Sequence, residues 1–353
     1  MKWLWLIIFA IIWAVIWLFL FRRLNILDKP WPDVPPRNRV PNIQGIILFF
    51  WVFISFIIFF PNYLTADPLK AFFIGSSGLV VVYLLDVFYD VPPIVRLLFQ
   101  IIAASILFFV WWVWLKYFYF WWHMISLPEW LSYILTVFWV VFFINAVNWF
   151  DWINGMASGI LTIWFLTIAL LLKFVVIPAY PHMTQQELER LLFVVDLSLV
   201  FFIWSLIYMI IEWKPWGLLR DVGIVFLAYA LAFLSLLWWA KIGALIVVLS
   251  LMIFDAIWVG LYRIFVLKKN PMRGDYTHLH HRLQNFWWTR WEVKVFVLWW
   301  SIFWMILLIL QGTNTVWKLI IAGLMAIVFF GVNIYLYLIK KKKVEFLPER
   351  LKE

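Results

Sequence analysis

The sequence predicts an all-α, polytopic membrane protein of about eleven transmembrane helices, ten being the alternative count. Its N-terminus is expected outside and its C-terminus in the cytoplasm. Three observations carry this. Of 353 residues 67% are hydrophobic, well beyond the roughly 45–50% of globular chains, and the mean hydropathy is +0.99. Apolar runs of roughly 17–25 residues recur from end to end, the length a helix needs to cross a bilayer core. They do not alternate as barrel strands would. Finally, 21 of the 28 Lys and Arg fall in loops on one side, which the positive-inside rule makes cytoplasmic.

The spans follow in order. The first, 3–21, is too long for a signal peptide and is followed by no small-residue cleavage site; Arg22 and Arg23 close it instead. Ten more are read at 45–61, 70–86, 94–115, 129–147, 155–177, 191–212, 222–240, 242–262, 294–311 and 316–338. Residues 1–338 thus form one integral membrane domain, with cytoplasmic loops at 22–44, 86–96, 148–155, 213–221 and 263–293 and a basic tail at 339–353. The Pro-rich, basic stretch "DKPWPDVPPRNRVPNIQG" after the first span is too long for a mere connector. A net charge of +10 needs no nucleic acid, because loops facing anionic headgroups and phosphorylated substrates account for it. Cysteine is absent, which removes disulfides and thiolate metal sites.

With this orientation most acids lie at cytoplasmic span ends: Asp28, Asp86, Asp90, Asp151, Glu212, Asp221, Asp255 and Asp275. Acids in or beside spans are expensive and usually functional. Asp196 lies on the outer half of its span and reads as a structural contact. In "LLDVFYDVPP" Asp86 and Asp90 are four apart, so on a helix they share a face until Pro92–Pro93 ends it. Their charges repel unless a cation or a basic side chain lies between them. In "NAVNWFDWING" Asn145, Asn148 and Asp151 step by three, a polar stripe that Asn154–Gly155 terminates. Such a stripe can hold a sugar, a base edge or a hydrated cation, or it can fasten one helix to another. Lys214, Arg220 and Asp221 share a short turn.

Three of the five histidines, His278, His280 and His281, sit within "GDYTHLHHRL". On a helix His278 and His281 share a face and His280 points away, so no zinc-type i, i+4 pair exists. Imidazoles beside Lys268, Lys269, Arg273 and Arg282 suit anionic phosphate better.

Taken in order, these stretches resemble the polyprenyl-phosphate N-acetylhexosamine-1-phosphate transferases, the superfamily that also contains phospho-N-acetylmuramoyl-pentapeptide translocase. "DKP…VPNIQG" looks like that family's first cytoplasmic loop, and "LLDVFYD…R" is similar to its Asp-Asp-x-x-Asp segment. "NAVNWFDWINGM" matches Asn-x-x-Asn-x-x-Asp-Gly-x-Asp-Gly, "LLRDVG" matches Phe-x-Gly-Asp-x-Gly, and "PMRGDYTHLHHRL" matches the histidine motif. The resemblance implies transfer of a sugar-1-phosphate from a UDP-sugar, in the N-acetylglucosamine branch, to a polyprenyl phosphate, with release of UMP. It implies magnesium, with manganese as its substitute, and a site facing the cytoplasm from the inner membrane. By position Asp221 is the metal ligand, and Asp86, with Asp90 one turn on, assists the nucleophile or the metal. Asn148, Asp151 and Asn154, at the end of the stripe that Asn145 begins, hold the uridine diphosphate end. Lys29, Arg273 and His278, His280 and His281 meet phosphates. The partners expected are the UDP-sugar, the lipid phosphate, the membrane and a second copy of the chain.

The chain departs from the family pattern at Val87, where the second aspartate belongs, and at Trp152 and Arg220 in place of glycines. Asn154 replaces an acid, and Ile224 and Tyr276 replace a serine and an arginine. Valine can neither ligate a metal nor accept a proton. The lipid phosphate, however, is already largely anionic at neutral pH, its second pKa being about 6, so a strong general base is not obligatory. A second reading is therefore a relative that binds lipid phosphate or nucleotide-sugar, or scaffolds a partner, without turnover. A transporter would place acids near the bilayer midplane, unlike these.

Overall fold

A computed structural model describes the chain except residues 29–38, 112, 114–116, 121–122, 238–249, 269–277, 286–287, 312–319, 322, 332 and 335–353. It divides into two compact units, Met1–Lys241 and Ile242–Glu353.

The first unit runs α1 (Lys2–Arg23), α2 (Gln44–Phe59), α3 (Asp67–Tyr89) and α4 (Pro93–Trp111), then α5 (Glu129–Trp149). It continues with α6 (Met156–Ala179), which passes through a π-helical turn at Leu171–Val176, α7 (Gln185–Trp213) and α8 (Arg220–Leu237). The second unit holds α9 (Ser250–Leu267, its last six residues π-helical), α10 (Leu279–Asn285) and α11 (Arg290–Gln311). Among the described residues nine helices are long and apolar enough to cross a membrane, and α2 is a shorter apolar one. The all-α membrane architecture expected from the sequence is therefore present. The described residues of the eleventh expected span, between 320 and 334, are also helical. An antiparallel hairpin not expected from the sequence, β1 (Tyr117–Phe120) with β2 (His123–Ser126), pairs Tyr117 with Ser126 and Phe120 with His123.

Local chemistry sets the ends. Pro68 opens α3 and the pair Pro92–Pro93 follows its end, with Asp90 in a left-handed cap. Thr184 and Glu187 form a reciprocal capping box at the start of α7. Helix α8 is the hub of its unit: it is buried along almost its whole length, whereas the bulk of α1 faces outward. Lipid tails are as apolar as Leu, so close packing and interhelical hydrogen bonds hold such helices together. Phe72 stacks on Tyr229 and Phe233, and Phe226 meets Phe49 and Phe201. Trp139 Nε1 donates to Ser235 Oγ at 2.7 Å and Trp204 Nε1 to Ser55 Oγ at 3.0 Å. At one end of this unit Asp196 accepts from Tyr63 Oη at 2.9 Å and pairs with Lys2 at 3.4 Å, the structural contact expected of it.

Candidate active site

The opposite end of the first unit gathers loops from four places in the chain. Where residues 29–38 leave and return, Asp28 N–H donates to Val40 O and Val40 N–H donates to Asp28 Oδ1, both at 2.9 Å, beside a Leu27–Pro41 bridge. This neck is joined to the α7–α8 turn, where Leu218 N–H bonds Pro41 O and Gln44 N–H bonds Leu218 O, each at 2.9 Å. Just beyond, α2 and α8 touch backbone to backbone. A Cβ on Gly45 would fall 2.1 Å from Gly223 N, so neither glycine can be replaced without moving a helix.

The α3–α4 corner presents Asp86, which accepts from Arg96 Nη1 at 2.8 Å. Arg96 stands one turn into the next helix. Asp90 itself is exposed and sits past the helix end at φ +50°, off the face that carries Asp86. Val87 is 41% exposed.

The polar stripe on α5 divides. Asn145 Nδ2 donates to Gln100 Oε1 at 2.7 Å, and Gln100 Nε2 donates to Tyr83 Oη at 2.7 Å. This part is an interhelical fastening of α3, α4 and α5. Asn148 instead hydrogen-bonds Asp221, and its own Oδ1 is buried and makes no hydrogen bond among the described residues. Asp151 lies in the following loop, where burial pushes its carboxyl well above the usual range. Glu212 and Asp221 push it further and Arg220 draws it back. Asn154 is half-buried on the same loop.

Glu212, to which the sequence assigned no role, fastens this loop to the next. It is buried, and it accepts from Ser158 Oγ at 2.7 Å, from Leu219 N–H at 2.8 Å and from Gly155 N–H. Gly155 needs its φ of +79°, and a Cβ there would press on the Trp213 backbone. One carboxylate thereby fixes the loop carrying Asp151 against the turn carrying Asp221. Asp221 opens α8 with Arg96, Asp86, Asn148 and Arg220 around it. Asp86, Asn148, Asp151 and Asp221 are thus brought together; Arg96, Arg220 and Glu212 complete the group.

The oxygen-rich set fits magnesium by its chemistry. Asp86 and Asp221 are hard carboxylate donors, Asn148 Oδ1 is a buried oxygen in need of a partner, and Mg²⁺ usually takes only one or two protein carboxylates with phosphates and water. Among the described residues no three His, Cys, Asp or Glu side chains form a ready cage.

In the second unit His278 is buried between Asp255 and Arg263. Its Nδ1 lies 2.9 Å from Asp255 Oδ2, and Nε2 lies 3.5 Å from Arg263 Nη2. A carboxylate only accepts, so Nδ1 carries a proton toward Asp255, and the ring is held in one orientation. Asp255 also accepts from Leu279 N–H at 2.8 Å and Arg282 Nη2 at 3.1 Å. His281 is half-buried on α10. Lys29 and Arg273, and the side chain of His280, lie outside the described residues.

The chain is thus an α-helical membrane bundle with acids and guanidinium groups gathered at one end of its first unit. Residues 69–246 match the model of glycosyl transferase family 4, and the chain belongs to that family. It is similar to the probable undecaprenyl-phosphate N-acetylglucosaminyl 1-phosphate transferase of Bacillus subtilis (strain 168). The two are 27% identical over 280 residues, which cover 75% of this chain and 71% of the relative.

Proposed function

We propose that the protein transfers a sugar-1-phosphate, N-acetylglucosamine-1-phosphate in the first instance, from a UDP-sugar to a polyprenyl phosphate. An oxygen of the lipid phosphate attacks the sugar-bearing β-phosphorus, the bond from that phosphorus to the bridging oxygen breaks, and UMP leaves with that oxygen. The product, a lipid-linked sugar pyrophosphate at the cytoplasmic face of the inner membrane, begins a cell-envelope polymer. The observation that carries this reading is the convergence of Asp86, Asn148, Asp151 and Asp221 from three separated loops, with Arg96 and Arg220 beside them.

Phosphoryl transfer depends chiefly on positioning and on neutralising charge. Asp221 and Asp86 would hold Mg²⁺, which supplies a divalent charge against the pyrophosphate. Arg96 orients Asp86 and adds a fixed cation. Asn148 presents a carbonyl oxygen with no partner among the described residues, and Asp151 is a carboxyl whose burial raises its pKa and favours its protonated form, fit to donate to the nucleotide. His280 and His281 are assigned to phosphate, and His278 to holding their helix. The experiment is UMP release by purified protein with UDP-N-acetylglucosamine, undecaprenyl phosphate and Mg²⁺, beside Asp221→Asn. Release abolished in the variant supports the transferase, and no release from folded wild type overturns it. The Arg96–Asp86 pair and the exposed Val87 favour one second reading, binding without turnover, in which lipid phosphate or UDP-sugar still binds and no UMP appears.

A further inference from the structure

Two residues that rarely adopt left-handed backbone do so where the first loop meets the start of α8: Ile43 at φ +58° and Arg220 at φ +57°. Neither is glycine, asparagine or aspartate, the residues that accept this region at low cost. They lie on segments already joined through Leu218 and Gln44. The Arg220 side chain spans the same junction. Its Nε donates to Asn42 Oδ1 at 2.9 Å, and its Nη2 lies 3.8 Å from Asp28 Oδ2. Asp28 is the acid that closes the neck on Val40. Strained backbone persists only where its surroundings over-determine it, and such residues cluster at working sites.

We propose that Arg220 is a positioning residue whose side chain straps the neck at Asp28 and Asn42 to the first turn of α8, so that strain in its own backbone is retained to hold Asp221 in register with the first loop. A glycine at this place would relax the backbone and cut the strap. The long cationic side chain of Arg220 reaches both Asn42 and Asp28, and it does so at the expense of φ. The part of the proposal that concerns turnover rests on the transferase reading; the part that concerns the strap does not.

The test uses the full-length protein in lipid nanodiscs with three variants. Arg220→Ala removes the strap and keeps the backbone strain, Arg220→Gly removes both, and Asn42→Ala cuts the strap from its other end. Hydrogen exchange at the Asp28 and Val40 amides is expected to quicken about tenfold in all three, because their mutual bonds open more often. The Gly variant should melt about 2 °C above the Ala variant, since only glycine relieves the left-handed φ. Turnover, as kcat/KM for UMP release, should fall about tenfold in both Arg220 variants alike, the effect of losing one charge-assisted hydrogen bond. Wild-type exchange in all three overturns the proposal. So does turnover that follows melting temperature, with Gly active and Ala not, because Arg220 would then act through stability alone. If wild type itself releases no UMP, the transferase reading fails, and exchange and melting still decide the strap.

Discussion

Glu212 and Asp221 stand nine residues apart at the same end of the first unit, yet they are used differently. Glu212 is saturated: a hydroxyl and two backbone N–H groups point at its carboxylate. Asp221 has one amide partner and is otherwise surrounded by charges of both signs. Asp255 in the second unit repeats the first pattern, with His278, Leu279 and Arg282 as donors. A carboxylate that has collected its donors is already solvated by the protein and holds backbone in place. One with a single amide donor among charges of both signs is the one the proposed reading assigns to the metal. Donor count therefore separates the acids that fasten the site from those proposed to work in it.

The largest effect that would break the distinction is at Asp221. On the proposed reading Asp221→Asn should reduce UMP release at least 100-fold, since the proposed metal ligand is removed where charge would develop. Its melting temperature should not fall, because an uncharged amide carries no charge to desolvate, which offsets the lost attraction to Arg96 and Arg220. A fall in stability equal to the fall in turnover would place Asp221 with Glu212. For Glu212→Leu the pattern should invert. Leu219 and Gly155 lose their acceptor, each unsatisfied buried donor costs about 1–3 kcal/mol, and turnover should decline in step with melting temperature. Glu212→Gln should recover most of the loss, with Oε1 toward Leu219 and the amide toward Ser158, whose hydroxyl can turn to accept.

Asp151 offers a comparison by pH. Its folded pKa is raised by burial and by Glu212 and Asp221, so its carboxyl adds no penalty below the unfolded value of about 3.9. As pH climbs above that value the unfolded chain ionises first, and the fold loses stability until the folded pKa is passed. Asp151→Asn should therefore melt higher than wild type at neutral pH and equal to it near pH 3. A variant equally shifted at both would mean that the carboxyl's charge is not what matters.

The bundle was legible because membrane spans are written in length and hydropathy, and every expected span of the first unit has a helix on it. The loops were legible as a set of acids and amides on one side, because polar residues are rare enough in this chain to stand out. What the sequence could not show was partnership. Arg96 entered only as a loop cation, although its place one turn past Pro92–Pro93 puts it against Asp86. Glu212 looked like any acid at a helix end, since its three donors come from two other segments and two of them are backbone. Arg220 looked like a misfit for glycine, and nothing in a string of letters shows that its φ is left-handed after all. The histidine triplet read as phosphate ligands, with only His280 on another face, but a buried acid and arginine 23 and 15 residues upstream of His278 set it apart.

The smallest effect sharpens the comparison within a single motif. Asn145 and Asn148 are three residues apart on α5, and the sequence offered both a binding stripe and an interhelical fastening for them. In the structure the two make different contacts. Asn145 is engaged by Gln100 and by Val141 O, whereas Asn148 meets Asp221 and keeps a buried oxygen without a partner among the described residues. Asn145→Ala should then cost about 1 kcal/mol, near the 0.6 kcal/mol average for hydrogen bonds between membrane helices, and leave kcat/KM within about twofold. Asn148→Ala should leave stability nearly unchanged, since one of its bonds is already unmade, and lower kcat/KM by about tenfold through a misplaced Asp221. Equal kinetic losses at the two positions would mean that the stripe acts as one surface after all, and that the Gln100 bond gives way when substrate binds.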